Sequence, residues 1–391
     1  MKTSRLILLS ALSLSQAHAY TLPQQAIRAY NCDVCSHLSR ENLQAKWDIS
    51  NEPLGSESNN TQKSYRYKER VTLKQLRAGV AITTTAPGAI IRVTPLQNKL
   101  IPKLKIKTPE QQILNIQDAS ALYSQDESLG ELQGAAKHQT MLQIKPELGF
   151  GTFILKSDVN SLQDADAYLI NVYDKFSPVS MEVGTNAIHY QYGDKVTATI
   201  SLTGNYMSSA HCDIEAALVG PSGQYVPLQM NRIKGNQFEA TEVLTSEVND
   251  HGENWYLEAK IQTGYDQEVV LRNGHAAFSY SIPSASLLNV TKLSSKPLTF
   301  EATLDVATAS RYALQSVLYS KNSNGEPVPI ETSQKAQWLE AGKQVMQFTF
   351  DNSHQLADDN LYLGYFRLTD YGQLKTVYQY NQPIKLSQLV E

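Results

Sequence analysis

The sequence predicts a mainly β protein, with tandem β-sandwich modules following an N-terminal mixed, mainly β domain with short helices. Three observations carry this expectation. Apolar residues alternate strictly at Val196, Ala198, Ile200 and Leu202, and again at Trp255, Leu257, Ala259 and Ile261. That period of two is the signature of a half-buried strand. Turn formers punctuate such stretches, as at Pro87-Gly88, residues 220–223 and Asn324-Gly325, which is the spacing of short antiparallel strands. Tyrosine, with 21 copies against 9 Phe and 3 Trp, also leans toward strands.

The chain opens on a different kind of segment. Lys2 and Arg5 precede an apolar stretch at 6–14, and Ala17, His18 and Ala19 supply a small-x-small pattern. Together these read as a signal peptide over residues 1–19, cleaved between Ala19 and Tyr20. The apolar stretch is shorter than the ~20 residues of a spanning helix. No later stretch is long and apolar enough to cross a membrane, so the expected product is soluble and is secreted or periplasmic, with no stable membrane insertion. The 34 basic and 38 acidic residues of the full chain, a net charge of -4, give no electrostatic footprint for nucleic acid.

Cys32 and Cys35 follow in a C-x-x-C. An oxidising compartment permits a disulfide there, and positions three apart on a helix are ~5–6 Å apart, within reach of a bridge. A structural Cys32–Cys35 bridge is the favoured reading. A bridge to Cys212, a redox motif, a metal site and a free thiol are the alternatives. Cys212 alternates with Ile214, Ala216 and Leu218 and reads as a small apolar core residue.

At ~100–200 residues per domain, the 391 residues allow two to four domains. Residues 20–176 form the first, mixed unit. Its start, 22–47, lacks β-branched runs and reads as one or two short helices; 55–64 is a polar loop; strand-like stretches then run to residue 173, with 109–138 ambiguous. A sandwich is predicted over 177–283, where Val269 and Leu271 lead into Asn273-Gly274, a strong hairpin signal, and Ala276, Phe278 and Tyr280 return. After a linker at 283–288, a second sandwich is predicted over 287–391, with a helical turn at 335–342 and a turn at Tyr371-Gly372. The two sandwiches are expected to fold without the first 176 residues.

The run from Tyr192 to Val196 and the 220–223 turn resemble immunoglobulin-like modules of exported bacterial proteins. The layout as a whole resembles a family of uncharacterised exported proteins of Gram-negative bacteria. That resemblance implies location and fold, and no chemistry.

No G-x-S-x-G elbow, H-E-x-x-H or Walker loop is present, and no catalytic residue, metal or cofactor is assigned. Asn249, Asp250, His251 and Glu253 read as turn chemistry. His211, Asp213 and Glu215 read as the solvated face of a strand. Asp158, Asn160, Asp164 and Asp166 lack the oxygen donor and glycine that a calcium loop needs at its fifth and sixth positions. Tyr65, Arg66, Tyr67 and Lys68 combine aromatic and cationic groups suited to glycan or anionic-polymer contact, against the alternative of an edge strand protected by charge.

The leading functional expectation is a non-enzymatic exported binding or adhesion protein that presents sandwich surfaces to a protein or glycan partner. A secreted hydrolase or its accessory subunit, with its site in the N-terminal domain, is the alternative. An extracytoplasmic chaperone or inhibitor is a third. The processing step is directly measurable. Intact mass of the exported fraction should show a first residue of Tyr20, and a retained Met1 would contradict the cleavage assignment.

Overall fold

The computed structural model describes residues 20–49, 60–97, 102–126, 139–158, 164–204, 207–248, 251–265, 268–352 and 356–389. The predicted signal segment 1–19 lies outside them. The chain divides into two compact units, one holding residues 57–246 and 253–280, the other residues 1–56, 247–252 and 281–391. Antiparallel sheets build both.

The first of these units contains two sandwiches. In one, a sheet ordered Arg66–Thr72, Ala167–Tyr173, Ile90–Pro95, Gln139–Ile144, Ser120–Asp126 faces a second sheet ordered Val80–Thr84, Gly151–Ser157, Leu104–Lys107, Ile113–Asn115. Alternation puts Ile91, Val93, Phe153, Leu155, Tyr168 and Ile170 in the core between them. The helix Leu73–Ala78 was not expected. Thr72 caps it and exchanges hydrogen bonds with Gln75 in a complete capping box, which satisfies two of the helix's orphan amides.

In the other sandwich, Asn231–Lys234, Gln237–Val243, Lys195–Thr203, Ser180–Thr185 and Asn60–Ser64 form one sheet in that order. His189–Gln191, Glu268–Ser281, Trp255–Tyr265, Met207–Val219 and Tyr225–Leu228 form the other. The predicted inward set is buried: Val196, Ala198, Ile200, Leu202, Trp255, Leu257, Ala259 and Ile261 all belong to one core. Asn60–Ser64 comes from far upstream, so the chain passes from this sandwich into the previous one through the single residue Tyr65.

The second unit is a third sandwich. Leu43–Asp48, Pro327–Leu339, Ser310–Lys321, Leu361–Asp370 and Lys375–Tyr380 make one sheet, with Ile384–Lys385 also on Leu361–Asp370; Ala285–Ser295, Leu298–Val306 and Gly342–Phe350 make the other. The upstream segment 20–49 is a strap on this sandwich. Thr21 bridges Asn289, Leu22 enters the core, Arg28 N–H donates to Pro283 O at 2.8 Å, and Leu43–Asp48 pairs along Pro327–Leu339. The strap's Tyr30 hydroxyl donates to the buried Asp370 at 2.9 Å. That carboxylate also accepts from Ser284 and Ser310, both at 2.6 Å, and from the Gly372 amide at 2.8 Å.

Several expectations are corrected. The segment 22–47 holds no α-helix; its regular structure is a 3-10 turn at Cys35–His37 and most of the strand Leu43–Asp48. Residues 335–339 lie in a strand, and the supposed linker at 283–288 is already strand from Ala285. Within the ambiguous 109–138, Ile113–Asn115 and Ser120–Asp126 are strands, and 127–138 lies outside the described residues. Asn273-Gly274 is no turn: both sit mid-strand, opposite Lys260 and Ala259. Glycine is needed there for closeness, because a Cβ on Gly274 would stand 2.7 Å from Met181 Cε and 2.9 Å from Val183 Cγ1 in the facing sheet. An isolated strand glycine is a mark of such an approach.

Both downstream sandwiches thus take strands from the first 64 residues. The fragment 177–391 is expected to unfold at lower denaturant concentration than the chain from Tyr20. In that longer chain Leu22→Ala should cost about 2–5 kcal/mol, read by urea unfolding; no shift in midpoint would show that the strap is not part of the cooperative fold.

Candidate functional site

The connection between the two sandwiches of the 57–280 unit is what shapes a site. The chain crosses at Tyr65 and again at 174–179, and Asp174 N–H donates to Tyr65 O at 3.0 Å, tying the crossings together. Arg272 reaches this point from its strand. It pairs with Asp174 at 3.0 Å, both side chains 1% exposed, and donates to Ser177 Oγ at 2.6 Å and Val179 O at 3.1 Å. Thr85 adds its amide and hydroxyl to the same Asp174 oxygen at 2.9 and 2.7 Å. Burial pushes the guanidinium pKa down, and Asp174 opposes that shift. Next to Arg272, Leu271 packs against the core of the preceding sandwich.

One residue further, Asn273 joins the two sandwiches along a groove. Its Oδ1 accepts from the Lys68 amide at 2.7 Å and its backbone oxygen accepts from Ser64 Oγ at 2.6 Å. The groove has a volume of about 340 Å³, within the ~300–1,000 Å³ of small-molecule sites. One wall is the edge strand Arg66–Thr72, which presents Arg66 and Lys68. The floor is the outer face of four strands. Register aligns Glu215, Lys260 and Asn273 in one row across it, and Ala217, Glu258 and His275 in the next. Tyr225, 67% exposed, stands at the rim, and Tyr256 meets the His275 ring edge-on at 5.8 Å between centroids. Neither Arg66 nor Lys68 forms an ion pair with a described residue. Glu69, on the same strand, has its carboxyl pKa raised by burial, an effect that Lys260 opposes.

The chain is similar to a known family and to solved structures. Residues 34–174 match the N-terminal domain of a family described as a domain of unknown function, DUF4785; residues 177–281 match its central domain and 284–387 its C-terminal domain. The chain belongs to the DUF4785 family. A crystal structure of a DUF4785 family protein from Legionella pneumophila is similar at 60% identity, with a TM-score of 0.82 over 94% of this chain and 99% of that one. A tetra-tandem repeat from the extending region of a large adhesion protein matches at 14% identity over 78% of this chain and 69% of that one. Its TM-score of 0.20 carries no argument about structure or role. No curated protein matches the chain.

In this DUF4785 chain the four residues singled out at 65–68 part company. Arg66 and Lys68 line the groove. Tyr67 turns inward, 2% exposed, and exchanges hydrogen bonds with the Thr83 backbone; it is a core residue and not a contact platform. Tyr65 is the crossing residue, with the Lys63 ammonium 5.5 Å over its ring. Sequence reasoning missed the floor. Glu258, Lys260 and His275 are legible as outward positions on alternating strands, but nothing local says that they meet Arg66.

The remaining candidates resolve separately. Cys32 and Cys35 are bridged, with Cα atoms 5.4 Å apart, and Cys212 is free. The bridge lies against the Gly372 turn: a Cβ there would meet the Tyr30 hydroxyl and both sulfurs within 2.8 Å. Burial pushes the Cys212 thiol pKa up, with Arg232 opposing. His251 Nδ1 lies 3.0 Å from Gly372 O, so it serves docking of its loop; Asn249 and Asp250 lie outside the described residues. Asp164 pairs with Arg77, and Asp158 with Lys105 at 2.5 Å; Asn160 lies outside the described residues. Glu215 joins the groove, while the His211 side chain lies outside what is described.

The Arg272–Asp174 pair generates a testable asymmetry. Arg272→Met leaves a buried carboxylate without its cation and should cost about 3–5 kcal/mol. Adding Asp174→Asn should recover part of that loss in a double-mutant cycle by denaturant unfolding. Strict additivity would show that the two side chains do not interact.

Proposed function

We propose that this protein is an exported, non-enzymatic binding protein, secreted or periplasmic, whose immunoglobulin-like modules hold a protein or glycan partner in the groove beside Asn273. One observation carries the reading. Arg66, Lys68 and Lys260 converge with the exposed rings of Tyr225 and His275 on a single cleft. Cations and aromatic faces together are suited to anionic or hydroxylated ligands, and the cleft is set between two packed sandwiches, a common place for ligand sites. The leader pattern at 1–19 supports export, and the short alternating strands support the module type.

Recognition at such a surface works through placed charge. Unpaired Arg and Lys steer an acidic partner and set its register, and a guanidinium grips a carboxylate with two parallel hydrogen bonds. Arg66 and Lys68 are exposed and outside the cores, so reversing them leaves the fold intact. The mature chain, screened on glycan and peptide arrays, should give signals that Arg66→Glu/Lys68→Glu weakens at least about tenfold, equivalent to ~1.4 kcal/mol. Blank arrays, or signals indifferent to the double variant, would sink the binding role of this groove.

A further inference from the structure

Resting on that binding role, we infer that the groove takes a carboxylate-bearing saccharide and does not take a peptide strand. The argument begins with what the wall has already committed. An extended peptide adds to a sheet by pairing with the free N–H and C=O groups of an edge strand. Arg66–Thr72 is such an edge, but both of its amide donors at the groove, those of Arg66 and Lys68, are already engaged. The Lys68 amide donates to Asn273 Oδ1 at 2.7 Å. The Arg66 amide donates to Ser64 Oγ at 3.3 Å, and the same hydroxyl lies 3.4 Å from Arg66 O. A strand docking here would have to displace these bonds before making its own. Recognition is left to side chains.

Those side chains carry mixed charge. Arg66, Lys68 and Lys260 stand against Glu215 and Glu258, a surplus of one positive charge. A densely charged polyanion, with a phosphate on every unit, would meet two carboxylates at close quarters, and like charges in a site are costly. A sugar acid suits the pattern better, since it carries one carboxylate per ring and several hydroxyls. The carboxylate goes to Arg66 or Lys68, held apart by one residue on a strand, ~6.6 Å. The hydroxyls donate to Glu215 and Glu258, which can only accept. The ring's apolar face has Tyr225 at the rim to lie against.

The test uses the mature full chain in calorimetric titration with an α-linked and a β-linked oligouronate. The controls are the carboxyl-reduced neutral oligosaccharides and an oligoglutamate of equal charge. Saturable uronate binding is expected, at least tenfold tighter than either control and at least tenfold weaker for Arg66→Ala/Lys68→Ala. Equal binding of the neutral sugars, tighter binding of the oligoglutamate, or uronate binding untouched by the variant would overturn the inference. So would failure of both oligouronates to bind up to about 10 mM, a regime weaker than ~3 kcal/mol. If the oligoglutamate binds more tightly than both oligouronates and the variant abolishes that binding, the saccharide assignment falls and the binding role stands. If the arrays are also blank, both fall.

Discussion

A buried ion pair holds the geometry of the 57–280 unit. Arg272 and Asp174 meet where the chain crosses between two sandwiches, and both are fully withdrawn from water. Desolvating two charges costs several kcal/mol per ion, so such a pair is weak evidence for stability and better understood as fixing one arrangement. Here it fixes the position of the strand on which Asn273 follows one residue later. Leu271, Arg272 and Asn273 then act in sequence: one side chain in the neighbouring core, one in the ion pair, one on the edge strand. That triplet sets where the groove lies, and the groove's charged wall inherits its placement from it.

The third sandwich solves a similar joint with different chemistry. Asp370 is as buried as Asp174, but tyrosine and serine hydroxyls and a backbone amide surround it. Neutral donors aimed at an anion give short, charge-assisted bonds, and they tie three separated stretches, around residues 30, 284 and 310, to one carboxylate. Burial raises the Tyr30 hydroxyl pKa first, and the nearby Asp370 raises it further, which keeps the phenol a donor. The bridge of Cys32 and Cys35 packs against the turn that follows Asp370, so it stiffens the strap where the strap meets this cluster.

Much of this was legible because a period of two is a local property. Lys195–Thr203 and Trp255–Tyr265 were visible as strands, and their buried faces were named correctly from alternation alone. Turn chemistry was legible at Asn324-Gly325 and misleading at Asn273-Gly274, where glycine answers a demand made by Met181 and Val183 from another sheet. The helix at Leu73–Ala78 is brief, and its capping box was the only signal for it. Strand borrowing was invisible: Asn60–Ser64 reads as polar loop, and its pairing with Ser180–Thr185 is set by residues 120 positions away. For the same reason Arg66 and Lys68 could be singled out by composition, whereas Glu258, Lys260 and His275 could not be joined to them. Tyr67 failed as a surface residue because inward and outward alternate on its strand, and its neighbours hold the outward places.

The strap has a consequence for how the protein is made. Residues 20–49 are made long before the strands they complete, Pro327–Leu339 and Ala285–Ser295 among them. Translation proceeds at ~5–20 residues per second, and domains generally fold as units in the order they emerge. The strap strand therefore has no finished partner until residue 339 has been made, and its pairing closes the long loop between Asp48 and Glu331. Loop entropy grows only logarithmically with length, so the delay is kinetic more than energetic. Until Pro327–Leu339 is made, a nascent chain carries Leu43–Asp48 as an unsatisfied strand.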